Sequence, residues 1–243
     1  MKYFLIIIFV FLGCRNNRQA QTKVVDAKKL FNSVQDPYTH FIPDSLKHYI
    51  PIFDSVFNND QRFRSVEDHS LFTKHILEQT KLDSVNQTIV SDFLAKYGYP
   101  SGKQVGLKGI TAINSVIQHA PLKMQERYYL TLVDAYRDKK IPGETLALLE
   151  DRINLRNHRK QFYGTQVLQF NKTGKYTLYP VTNIDSLNAY RKRIGFNMTI
   201  EQYLKQFFKT DWTKADYYKN YAEAVKQFEV TDSPSIHFDV LPQ

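Results

Sequence analysis

The chain has 243 residues, 42% hydrophobic and 14% aromatic, with only nine Gly and nine Pro, which excludes a low-complexity protein and suffices for a full core. Lys and Arg number 33 against 24 Asp and Glu, a formal charge of +9, yet the basic residues are spread out, with short groups such as Arg156 to Lys160. This reads as a solvated basic surface, with no nucleic-acid partner expected, and the single cysteine, Cys14, excludes a disulfide framework.

The chain starts with "MKYFLIIIFVFLGC": a positive charge at Lys2, an apolar run from Tyr3 to Leu12, then Gly13 and Cys14. The run is about half the roughly 20 residues that a spanning helix needs, so it predicts a secretory signal over residues 1–13. "FLGC" resembles the lipobox of bacterial lipoproteins, with Phe11 where that pattern usually has Leu. The resemblance implies lipidation of the Cys14 sulfur, and two acyl chains hold a protein where one is marginal. Residues 14–23 read as a polar tether. Residues 24–230 read as a single globular domain, and residues 231–243 as a tail.

From Lys23 to Asn59 the pattern is mixed: "AKKLFNSV" is briefly helical, and Pro37, Pro43 and Pro51 read as breaks. Ser65 and Asp68 have capping-box spacing ahead of Leu71, His75 and Leu77, which predicts a helix. A second helix is predicted with Asp83 as N-cap, with Val85, Ile89, Phe93 and Leu94 on one face, and with Gly98 beyond its end. Ile110, Ile113, Val116 and Ile117 predict a third, stopped by Pro121. Tyr128, Tyr129, Leu132, Val133 and Tyr136 mark another over Leu122 to Lys139. Pro142 suits the first turn of the next, with Leu146, Leu149 and Ile153 inward.

Then the period changes. "QFYGTQVLQF" and "KYTLYPV" are β-rich and separated by "NKTG", which predicts a two-stranded hairpin around residues 161–181. Helices return at "NIDSLNAYRKRI", at "TIEQYLKQFF" with Thr199 and Gln202 as a capping box, and at "TKADYYKNYAEAVKQF". The fold class expected is α+β, mostly α-helical, with one hairpin covered by helices, because an isolated hairpin is marginal in water.

"GYP" at Gly98 to Pro100, "QHA" at Gln118 to Ala120, "DR" at Asp151 and Arg152, and "QFYGTQ" at Gln161 to Gln166 occur in that order, after "DQRFR" at Asp60 to Arg64. Together they resemble a bacterial family catalogued as a domain of unknown function, over roughly Phe53 to Phe207. That family usually shows Gly-Trp-Pro, and Tyr99 stands here in place of the Trp. The resemblance implies a fold and a site location without a reaction.

His119 ends a helix, where the dipole favours a protonated imidazole, or where the ring simply caps the last carbonyls. Asp151 and Arg152 point in neighbouring directions and each needs its own partner. Arg152 suits a carboxylate or phosphate, or an acid within the fold such as Asp60. In an extended run Gln161, Tyr163 and Thr165 share one face and Phe162, Gly164 and Gln166 the other. These groups either hold a polar ligand or satisfy buried backbone.

No His or Cys spacing supports a metal site, and neither a P-loop, a Rossmann fingerprint nor a Gly-x-Ser-x-Gly elbow is present, so no cofactor is expected. Ser115, His119 and Asp151 make a triad only on paper, since Ser and His four apart on a helix would need unusual geometry.

Two functions follow. One is a binding or interaction domain, lipid-anchored on the cell envelope and facing the periplasm or surface, most simply at the outer membrane. Its ligand candidates are Arg152, Gln161, Tyr163, Thr165 and Gln166, and its partner is an anionic envelope polymer or a protein. The alternative is a hydrolase or transferase on an envelope polymer, with His119 as acid or base and Asp151 orienting it.

Overall fold

The protein's structure, a computed structural model, describes residues 44–64, 75–170 and 173–230. The expected signal, tether, early helical stretch, Ser65 capping box and C-terminal tail lie outside the described residues. The fold is mostly helical with one two-stranded antiparallel sheet, the α+β class expected. It divides into two compact units after Ile141.

In the first unit a short α1 (Asp44–Lys47) leads into α2 (Tyr49–Asp60). Pro51 is read from sequence as a break, but it sits in the first turn of α2, where its missing N–H had no intrahelical partner to lose. Phe53, Val56 and Phe57 fall three and four residues apart and are buried against α4 (Gly102–His119) and α3 (Ile76–Tyr97). Phe53 and Phe93 meet edge to face at 5.0 Å between ring centroids. Gly109 lets α2 and α4 close on each other, since a Cβ there would stand 3.2 Å from the Phe53 ring.

Asp83 does not cap a helix: α3 runs unbroken through it from Ile76 to Tyr97. An acid reads as an N-cap because short polar side chains favour that position. Here it instead pairs with the half-buried Arg64. Helix α4 starts at a capping box of Ser101 and Gln104 and carries a kink at Gly106, whose φ of 76° suits glycine. Helix α5 (Leu122–Arg137) follows, packed on α4.

The second unit starts with α6 (Gly143–Arg156), entered through Pro142. The hairpin is shorter than the sequence suggests: β1 is Val167–Gln169 and β2 is Tyr176–Leu178, with Leu168 opposite Thr177. Residues 161–166 are not strand, because Gly164 takes φ 63° and breaks the extended run. Gln161 alone bridges to Val181. The faces read from alternation therefore do not exist.

Helices α7 (Leu187–Ile194), α8 (Ile200–Phe208, capped by Thr199 and Gln202 as expected) and α9 (Lys214–Val230) complete the unit. Helix α9 covers β2 and closes an apolar cluster of Leu155, Leu168, Phe170, Tyr179, Ala224 and Phe228. The Tyr217 hydroxyl accepts from Val181 N–H at 2.9 Å, which satisfies a buried backbone donor beyond the end of β2.

Candidate functional site

Helix α2 ends at Asp60 and α4 ends at His119, and the packing of the two helices brings their last residues together. His119 Nδ1 lies 2.7 Å from Asp60 Oδ1, with both side chains buried. Asp60 Oδ2 accepts from Gln61 Nε2 at 2.7 Å. Arg64, one turn beyond Asp60, donates to the Asp60 carbonyl at 2.6 Å and lies 3.4 Å from Asp60 Oδ1. Its two terminal nitrogens fork onto Asp83, at 2.9 Å to Oδ1 and 2.5 Å to Oδ2. Gln79 Nε2 donates to Asp83 Oδ1 at 2.8 Å and to the Asn59 carbonyl at 3.1 Å, tying α3 to the end of α2.

Burial pushes the Asp60 carboxyl up, but the charges of His119 and Arg64, with hydrogen bonds from His119 and Gln61, outweigh it and hold the group below its ordinary value. Asp60 is therefore ionised at neutral pH and can only accept, so the proton between it and His119 belongs to Nδ1. In the neutral imidazole Nε2 then carries the lone pair. A carboxylate that fixes the tautomer and stabilises the charged ring is what acid–base work by histidine needs.

The second unit holds another buried carboxylate with different surroundings. Asp151, on α6, accepts from Phe162 N–H at 2.6 Å and from Tyr163 N–H at 3.0 Å. It also accepts from Thr165 N–H and from the Thr165 hydroxyl, both at 2.9 Å. The Tyr-Gly-Thr-Gln segment is thus a loop wrapped around one carboxylate. Burial pushes the Asp151 carboxyl up to about 6, against the pull of these donors. Gln161 Nε2 donates to the carbonyls of Gln166 and Tyr179, and its Oε1 accepts from Gln166 N–H. Arg191 of α7 donates to the Tyr163 carbonyl at 2.9 Å and lies 4.1 Å from the centre of the Phe196 ring. Burial brings its guanidinium down to about 10.

A family model described as a family of unknown function, DUF6624, matches residues 69–213. The chain belongs to this family. No curated protein and no solved structure gives a significant match. The DUF6624 segment includes Asp83, His119, Asp151 and the 161–166 loop, while Asp60 and Arg64 lie just before it.

Of the residues selected from sequence for this DUF6624 chain, His119 sits in the first unit and meets Asp60. Asp151, Gln161, Tyr163, Thr165 and Gln166 come together in the second, and Arg152 is buried beside Asp151 on α6. The carboxylate on His119 Nδ1 is Asp60, where the sequence reading assigned Asp151, whose oxygens face the loop instead. Sequence reasoning missed Arg64 and Asp83, although Asp60 and Arg64 have the i,i+4 spacing of a helical ion pair. It also missed Arg191, which nothing marks among the basic residues of "RKR". Among the described residues no group of three or more His, Cys, Asp and Glu side chains is placed to hold a metal ion. Among them, too, no helix is long and apolar enough to cross a membrane.

Proposed function

We propose that this DUF6624 protein is anchored by lipid on Cys14 at the bacterial cell envelope, facing the periplasm or the cell surface. Its folded part carries out acid–base chemistry, hydrolysis or group transfer, on an envelope polymer. The anchor rests on the charged start, short apolar run and "FLGC" of the first fourteen residues. The chemistry rests on one observation, the 2.7 Å contact of His119 Nδ1 with an Asp60 that its neighbours keep ionised. His119 Nε2 is buried in the fold; once a local opening admits water or a substrate hydroxyl it takes the proton, and Asp60 stabilises the imidazolium that results. The loop around Asp151 supports ligand binding less well, because its backbone donors and the Thr165 hydroxyl are engaged inside the fold.

The test is release of soluble fragments from purified peptidoglycan and other envelope polymers by the full chain in detergent, compared with His119→Gln. Turnover is expected to fall by about 10²–10⁴-fold in the variant. Equal turnover in a folded variant would remove His119 from the chemistry. A second reading, binding of an anionic polymer without turnover, is favoured by the formal charge of +9. It predicts salt-sensitive retention on the polymer that His119→Gln leaves intact.

A further inference from the structure

Arg64 and Asp83 have no part in the proton transfer just described, yet they form a relay behind Asp60, Asp83 holding Arg64 and Arg64 reaching Asp60. Asp60 Oδ1 has two nitrogen neighbours, His119 Nδ1 at 2.7 Å and an Arg64 terminal nitrogen at 3.4 Å. Arg64 is kept at the longer distance by its fork onto Asp83 and by its bond to the Asp60 carbonyl. Gln79 in turn holds Asp83 in register. The cluster thus sets two carboxyl groups, Asp60 and Asp83, against the single guanidinium of Arg64, and the His119 ring is the second basic partner.

We propose that Arg64 and Asp83 are positioning residues for His119: Asp83 engages the guanidinium and thereby leaves the charge of Asp60 to the imidazole. This rests on the acid–base reading of His119. Removing the Asp83 charge lets Arg64 close on Asp60 Oδ1 and compete with the ring, so His119 holds its proton less tightly. Removing the Arg64 charge leaves two carboxylates behind the ring, so His119 holds its proton more tightly. A pair that merely braces α2 against α3 predicts no such opposition of sign. Elsewhere on the neighbouring elements, Lys47 of α1, Arg62 beyond α2, Glu78 and Lys81 of α3, and Lys123, Glu126 and Arg127 of α5 are exposed, Lys108 of α4 pairs with Asp54 of α2 at 3.1 Å, and Gln125 of α5 is buried and neutral.

The experiment is an NMR titration of the full chain labelled with ¹⁵N-histidine, the His119 signals being assigned by their loss in His119→Gln. Asp83→Asn is expected to lower the His119 midpoint by about one pH unit and Arg64→Gln to raise it by about as much. Asp83→Glu, which keeps the charge, is expected to restore the midpoint of the parent chain. Midpoints that stay put, or that move in the same direction, overturn the proposal. If Asp83→Asn does not fold, Arg64→Gln alone decides, and failure of both to fold marks the pair as structural and also overturns it. The titration needs no substrate, so the two readings fail separately. Opposite shifts without turnover leave the charge network standing and remove the catalytic reading; unmoved midpoints with His119-dependent turnover do the reverse.

Discussion

Asp60 and Asp151 are both buried carboxylates, and what surrounds each decides how it titrates. Asp60 meets charged partners, which more than offset the cost of burial, whereas Asp151 meets neutral donors, which do not. The consequences for stability have opposite signs. The folded value of Asp60 lies below the unfolded one, so its contribution is present above about pH 4 and is lost as pH falls through the folded value. The folded value of Asp151 lies above the unfolded one, so its contribution is present below about pH 4 and is lost as pH rises through about 6. Urea melts across pH should therefore show the gap between the parent chain and Asp60→Asn narrowing toward acid. The gap to Asp151→Asn should narrow toward neutral pH. Asp151→Ala is a harsher change, because it leaves the N–H groups of Phe162, Tyr163 and Thr165 without their acceptor. A loss of about 3 kcal/mol or more is expected in the same melts, and a loss under about 1 kcal/mol would mean that water satisfies those donors.

At the scale of elements, Gly164 is where the β-rich run becomes a loop. Its φ of 63° is left-handed, and a Cβ there would meet Leu187 Cδ2 at 3.1 Å. Gly164→Ala should thus cost about 1–2 kcal/mol through backbone strain alone, with crowding added, which thermal melts can check. A neutral result would mean that the loop takes another shape. Helices α5, α8 and α9 were legible because their apolar stripes and the Thr199–Gln202 capping box are local patterns. The hairpin was legible in type but not in extent, since alternation cannot foresee that Gly164 turns its backbone to wrap Asp151. Asp83 misled for a related reason: an acid in mid-helix needs a distant partner, and Arg64 is 19 residues away. The site was half legible for the same cause. The motif residues Asp151, Gln161, Tyr163, Thr165 and Gln166 do converge, but the partner of His119 is 59 residues distant, on another helix.

For the whole molecule, the boundary after Ile141 falls where Pro142 opens α6, and nothing in the hydrophobic period distinguishes it from the other helix starts. The attachment proposed at Cys14 has a direct consequence. Cys14→Ser should move the protein from the membrane to the soluble fraction on cell fractionation, and should remove the mass of the lipid from the intact chain. Unchanged membrane association would assign the retention to the basic surface instead. An ionised Asp60 assigns the proton it shares with His119 to Nδ1, which leaves Nε2 as the nitrogen proposed to do the chemistry. Long-range ¹H–¹⁵N correlation of the imidazole above its titration midpoint reads that tautomer directly. Protonated Nδ1 with Nε2 bearing the lone pair is the predicted result; protonated Nε2 would mean that Asp60 is not the group orienting His119 and would contradict the account.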